Sequence, residues 1–160
     1  MNIYDAISGY LAKQMRTGKE VELKLKEKGF DGEKIKEVIE EYKNLKYIDD
    51  RAYATAFFRM AFRKGKSKAR AYQELSLKGV SREDIDAGYE ELLEENDAEI
   101  LTIEKERARL QIERILTKEG LSRDDAVDER LYNKLGRRLA ALGYEGSIIY
   151  SLLGELKRKY

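Results

Sequence analysis

Apolar residues along the chain recur at helical spacing around three glycines. Counting back from Gly29, Gly79 and Gly143, the position four residues earlier is Leu25, Leu75 or Leu139, and the position eight earlier is Val21, Ala71 or Leu135. Six residues after each glycine stands an isoleucine: Ile35, Ile85 or Ile149. Ten residues after come Ile39, Tyr89 and Leu153, and thirteen after come Tyr42, Leu92 and Leu156. These offsets fall on single faces of α-helices, so the pattern predicts two amphipathic helices joined at a glycine turn, three times over. The clearest copy spans residues 65–92, where one helix stops at Gly79 and the next starts at Ser81. Glycine tolerates the left-handed conformation that ends a helix, and Ser81 with Asp84 three residues on resembles a capping pair. The glycines are 50 and then 64 residues apart, so the third copy carries an insertion. Periods of this size belong to helical repeat arrays.

Taken in order, the pattern predicts helices over residues 3–16, 20–28 and 31–46, with a break at Thr17-Gly18-Lys19 and an Asp31 cap. A short connection then offers Asp49 or Asp50 as the cap of a helix over 51–64. After the segment ending at Gly79 come helices over 82–95, 98–118, 124–142 and 145–160, with Asn96-Asp97 and Gly120-Leu121-Ser122 as joints. The expected fold class is all-α: three tandem three-helix repeats, 1–48, 49–96 and 97–160, the last with longer helices, forming an elongated, curved array.

Composition narrows the chemistry. The chain is 42% hydrophobic and 39% charged with no proline, a profile of helices with solvated charged faces. It has neither cysteine nor histidine, which removes disulfides, cysteine nucleophiles, thiolate or imidazole metal sites and histidine acid–base catalysis. No run of eighteen apolar residues occurs, and MNIYDAISGY lacks a basic, then hydrophobic leader. A cytoplasmic protein with no membrane span, cofactor or catalytic residue is therefore expected.

Net charge is only +1, yet it is laid down in blocks. Residues 51–73 hold seven basic and no acidic side chains, and residues 74–99 hold ten acidic and two basic. Residues 130–160 hold seven basic and two acidic. Such blocks predict separate basic and acidic surfaces. On the helix over 51–64, Tyr53, Phe57 and Met60 share one face, Phe58 and Phe62 an adjacent one, and Arg51, Thr55, Arg59 and Arg63 a polar stripe. The stripe runs into Lys64, Lys66, Lys68 and Arg70. Charge runs are commonly solvated helix faces, but the lack of acids among these cations favours an anion-contacting surface. Arg130, Lys134, Arg137 and Arg138 form a second basic group at helical spacing, while Lys157, Arg158 and Lys159 complement a helix dipole.

Two motifs carry no chemistry. Gly65-Lys66-Ser67 spells the end of a phosphate-binding loop, but Met60 stands where that motif needs its first glycine, and no strand precedes it. Asp49-Asp50, Asp124-Asp125 and Asp128 sit at predicted helix starts, where capping accounts for them without a metal.

Three stretches, LKYIDDRAYATAFFR at the first junction, QELSLKGVSREDI in the second copy and RLYNKLGRRLAALGYEGSIIYSLL in the third, together resemble the RecX family of recombination regulators. The residues that match its junction pattern are Tyr47, Ile48, Asp49, Asp50, Tyr53, Ala56, Phe57 and Arg59. Arg51 and the proline-free GKSKA depart from it, where the family often has an acidic residue and a proline. The resemblance implies a non-enzymatic, monomeric protein of recombinational DNA repair and the SOS response. It would lodge in the groove of the RecA filament on single-stranded DNA and reach that DNA through the filament. There it would limit ATP hydrolysis, strand exchange and filament growth. Arg59, Arg63, Lys64, Lys66, Lys68 and Arg70 are then expected to form one contact surface, and Arg130, Lys134, Arg137 and Arg138 another. The alternative is a stand-alone helical nucleic-acid-binding module with Phe58 or Phe62 stacking on bases.

Overall fold

A computed structural model describes residues 1–95 and 104–159, and the described residues contain nine α-helices and no strand. They are α1 (Ile3–Lys13), α2 (Gly18–Glu27), α3 (Gly32–Asn44), α4 (Asp50–Arg63), α5 (Lys68–Leu77), α6 (Arg82–Glu94), α7 (Glu104–Lys118), α8 (Glu129–Ala141) and α9 (Gly146–Leu153). The first residues, 98–103, of the helix expected over 98–118 and the cap at Asn96-Asp97 lie outside the described residues.

The three aligned glycines all take the left-handed conformation, with φ of 87°, 84° and 93°. At each one the same pair of hydrogen bonds closes the helix. The glycine N–H donates to the carbonyl three residues back, and the next N–H donates to the leucine carbonyl four residues before the glycine: Leu25, Leu75 or Leu139. This double closure satisfies carbonyls that a helix C-terminus otherwise leaves open. None of the fifteen apolar residues in the aligned columns is exposed, so the stripes read from the sequence face cores.

The chain divides into two compact units, residues 1–58 with 72–95 and residues 59–71 with 96–160, so α4 and α5 each pass from one to the other. In the first unit, α1, α2 and α3 bury Ile3, Ala6, Ile7, Val21, Leu25, Ile35, Val38 and Ile48 together. Thr17, fully buried, caps α2 in a reciprocal box with Glu20 while its hydroxyl donates to Lys78 O at 2.8 Å. The Gly18 N–H donates to Asp50 Oδ1 at 2.9 Å, and burial pushes the Asp50 carboxyl above its ordinary value against that bond. A Cβ on Gly79 would stand 2.3 Å from Lys19 Cβ, so this position needs glycine twice, for its φ and for its neighbour.

The second unit repeats the device. Ser67, 1% exposed, caps α5 by accepting from the Arg70 N–H and donates its hydroxyl to Gly143 O at 2.8 Å, while its own N–H reaches Leu142 O. Here the core joins Ala108, Ile112 and Leu116 of α7 to Leu131, Leu135 and Leu139 of α8 and Leu152 and Leu153 of α9. Tyr144 Oη donates to Gly65 O at 2.6 Å. Gly65 and Ser67 are thus a helix end and a helix cap.

Several sequence expectations need correction. The helix expected over 124–142 begins only at Glu129, because Asp125 accepts from the Ser122 N–H and hydroxyl and Asp128 supplies the cap to Leu131. Helix α9 ends at Leu153 instead of reaching residue 160, since the segment after it pairs with Val127, whose N–H donates to Lys157 O and whose carbonyl accepts from Lys159, each at 2.8 Å. Helix α1 stops at Lys13 rather than at 16, and Arg16 lies over the Tyr10 ring. Thr55 belongs to no surface stripe: it is buried and donates to Gly88 O at 2.8 Å, where α4 and α6 touch.

That contact is close enough to test. A Cβ on Gly88 would come within 2.7 Å of Ala54 Cβ and 2.9 Å of Arg51 O. Gly88→Ala should therefore destabilise by about 1–3 kcal/mol in urea unfolding, although alanine favours helix. Lys46 ends α3 with φ of 66°, a conformation strained for a side-chain-bearing residue. Lys46→Gly should raise stability by about 1 kcal/mol in the same assay, the relieved strain exceeding the entropy glycine adds to the unfolded chain.

Candidate anion-binding groove

Helix α8 is anchored in the second unit by Leu131, Leu135 and Leu139, four residues apart, which places Lys134, Arg137 and Arg138 beside the buried stripe and exposed. On α7, Ala108, Ile112 and Leu116 are buried, so Arg114 and Lys118 stand outside. Two concavities of about 560 and 460 Å³ lie against these helices and share Ile115, Lys118 and Arg138, making one continuous groove. Lys64, just past the end of α4, adds a sixth cation to its lining. Its one carboxylate, Glu113, is paired with Arg123.

The cations differ in how far they are already satisfied. Among the described residues Lys64, Arg114, Lys118, Arg137 and Arg138 form no ion pair. Lys134 reaches Glu119 Oε1 at 3.2 Å and Arg130 reaches Oε2 at 3.3 Å. The hydrogen bond from Lys134, then the charge of Arg130, hold the Glu119 carboxyl below its ordinary value. Like charges gathered without compensation repel one another, and a polyanion entering the groove relieves that repulsion.

Of the ten basic residues singled out in the sequence, the structure gathers Lys64, Lys134, Arg137 and Arg138 in this groove and ties Arg130 to the same glutamate as Lys134. Arg59, Arg63, Lys66, Lys68 and Arg70 do not line it. Arg59, Lys66 and Arg70 are half-buried, and a Cβ on Gly143 would meet Arg70 Cβ at 2.5 Å. The Lys68 N–H donates to the Glu104 carboxylate. Arg114 and Lys118 are the residues sequence reasoning missed. A signal existed: the helical neighbours of Arg114 at three and four residues are Leu110, Gln111, Thr117 and Lys118, none of them acidic.

The aromatic residues proposed for base stacking are not available for it. Phe58 is fully buried against Tyr89, with ring centroids 5.3 Å apart, and Phe62 is buried under the Arg107 guanidinium at 4.2 Å. The junction residues have structural work instead: Ile48 is buried, Asp49 accepts from the Ala52 N–H, and Tyr53 stacks on Phe57. Among the described residues no three acidic side chains gather where they could hold a metal ion, and no helix is long and apolar enough to cross a membrane.

Helices in tandem three-helix domains, closed by the same turn, define the class of the protein: a tandem helical array, here with a basic groove. Comparison with known proteins gives the family. Models described as the first and second three-helix domains of RecX match residues 4–41 and 49–88. The chain is 30% identical over 152 residues to "Regulatory protein RecX" of Finegoldia magna, covering 94% of this chain and 70% of that protein. It is also 30% identical over 146 residues to the protein of that name from Clostridium botulinum strain Eklund 17B. A crystal structure of RecX from Lactobacillus salivarius superposes with a TM-score of 0.69 at 26% identity, over 96% of this chain and 94% of that one. The chain belongs to the RecX family. It spans 64% of the length of the Clostridium botulinum relative and 28% of one from Bacillus licheniformis.

The buried ring makes a prediction that separates packing from recognition. Phe58→Ala should cost about 3–5 kcal/mol in chemical unfolding, as truncation of a fully buried phenylalanine does. A folded variant of normal stability that had lost only nucleic-acid binding would contradict this placement.

Proposed function

We propose that this chain binds the filament of RecA recombinase on single-stranded DNA and modulates it, chiefly by slowing ATP hydrolysis, strand exchange and filament growth. The observation that carries the reading is the basic groove of α7 and α8 in a chain of the RecX family, whose relatives are named regulatory proteins. A recombinase filament presents protein and phosphates together, and a surface of uncompensated cations complements that combination. The chain works as a non-enzymatic, cytoplasmic monomer in recombinational repair, built as three helical repeats over 1–48, 49–96 and 97–160. A stand-alone nucleic-acid module finds less support, because its proposed stacking residues are buried.

The test is the rate of single-strand-dependent ATP hydrolysis by the cognate RecA, measured with a substoichiometric amount of this protein. The rate is expected to fall. Combined Lys64→Glu, Lys118→Glu and Arg138→Glu changes should raise the concentration needed by at least about tenfold, with the helical circular dichroism unchanged. Equal potency of wild type and variant would remove the groove from the interaction, and no effect of the wild type on the filament would refute the proposed function.

A further inference from the structure

We propose that the α7–α8 groove grips the sugar–phosphate backbone of a single nucleic-acid strand and leaves its bases unread. The inference deepens the filament reading and rests on it for its biological setting, but the chemistry is argued from the groove alone.

The cations form tracks. Arg114 and Lys118 are four residues apart on α7, and Lys134 and Arg138 are four apart on α8. Residues so spaced stand about 5–6 Å apart along a helix surface. The two helices pack together, so the groove presents two rows of positive charge along its length and not a pocket for one ion. Three of its six cations, Arg114, Arg137 and Arg138, are arginines, whose planar fork meets two phosphate oxygens at once.

The lining also says what is not recognised. None of its eleven residues is aromatic, so it offers no ring on which a base could stack. An acidic protein segment fits less well. An amphipathic helix docking in a groove needs apolar sockets at several successive turns, and the lining offers only Leu110 and Ile115. Aliphatic surface of that modest extent suits the faces of sugars lying between charged tracks.

Glu119 tunes the grip. It holds Arg130 and Lys134 at 3.3 and 3.2 Å, so a phosphate that takes Lys134 must compete with this carboxylate. Neutralising Glu119 therefore strengthens strand binding, a gain that loss of folding cannot imitate.

The experiment is fluorescence anisotropy with the full chain and two labelled strands of equal length, oligothymidylate and an abasic backbone, over a range of salt. The two strands are expected to bind within about threefold of each other. Arg114→Glu with Lys118→Glu should weaken both by at least about tenfold, and each groove cation removed should lower the salt slope by about 1. Glu119→Gln should tighten binding by about two- to fivefold, while Lys36→Glu, on α3 in the first unit, should change nothing. Three results would overturn the proposal: binding of thymidylate but not of the abasic strand, undiminished binding by the Arg114 and Lys118 variant, or displacement of the strand by polyglutamate as effectively as by unlabelled abasic strand. Strand binding of the expected kind without any effect on RecA would defeat the proposed function and leave this inference standing. An effect on RecA by a wild-type chain that binds neither strand would do the reverse.

Discussion

Two buried hydroxyls hold the successive helical pairs together. Thr17 and Ser67 each use one oxygen twice, accepting from the first turn of the helix they cap and donating to a carbonyl at a glycine turn more than sixty residues further on. A hydroxyl can satisfy both roles only if it is placed within hydrogen-bond reach of both partners, and burial makes any error costly because water cannot replace the lost bond. The glycine turn is constrained in return. Its lack of a Cβ admits Lys19 at Gly79 and Arg70 at Gly143. The chain at α8 shows the same position used differently: residues 157–159 pair with Val127 just before the Asp128 cap.

The groove is a consequence of this packing. Once α7 and α8 bury their leucines and isoleucines, their remaining faces lie side by side, and those faces carry Arg114, Lys118, Lys134 and Arg138. Some surface charges outside it are neutralised locally, as in the Lys26 to Glu22 and Arg51 to Glu91 pairs. Five groove cations have no such partner among the described residues, so their like charges stand together uncompensated.

Much was legible from periodicity. The three glycine turns, their leucines and the capping roles of Asp31, Ser81 and Asp49 follow from local rules, because a helix end has the same unsatisfied groups wherever it occurs. Charge blocks were a weaker guide. The run over residues 51–73 looked like one surface, yet its members are divided between the groove, half-buried packing positions and helix ends. Helix lengths failed where a segment had a competing tertiary partner, as with residues 124–128 and the stretch after Leu153.

By itself the sequence determined the helical class, the positions of the turns and the family, since each is written in spacing that a few neighbouring residues enforce. The tertiary structure alone decided that Thr55, Phe58 and Phe62 are internal, that Thr17 and Ser67 are joints, and that Lys64 meets residues of α7 and α8 in one groove. The physical reason is that helical periodicity specifies which residues share a face, whereas what that face meets depends on contacts between residues far apart in the chain.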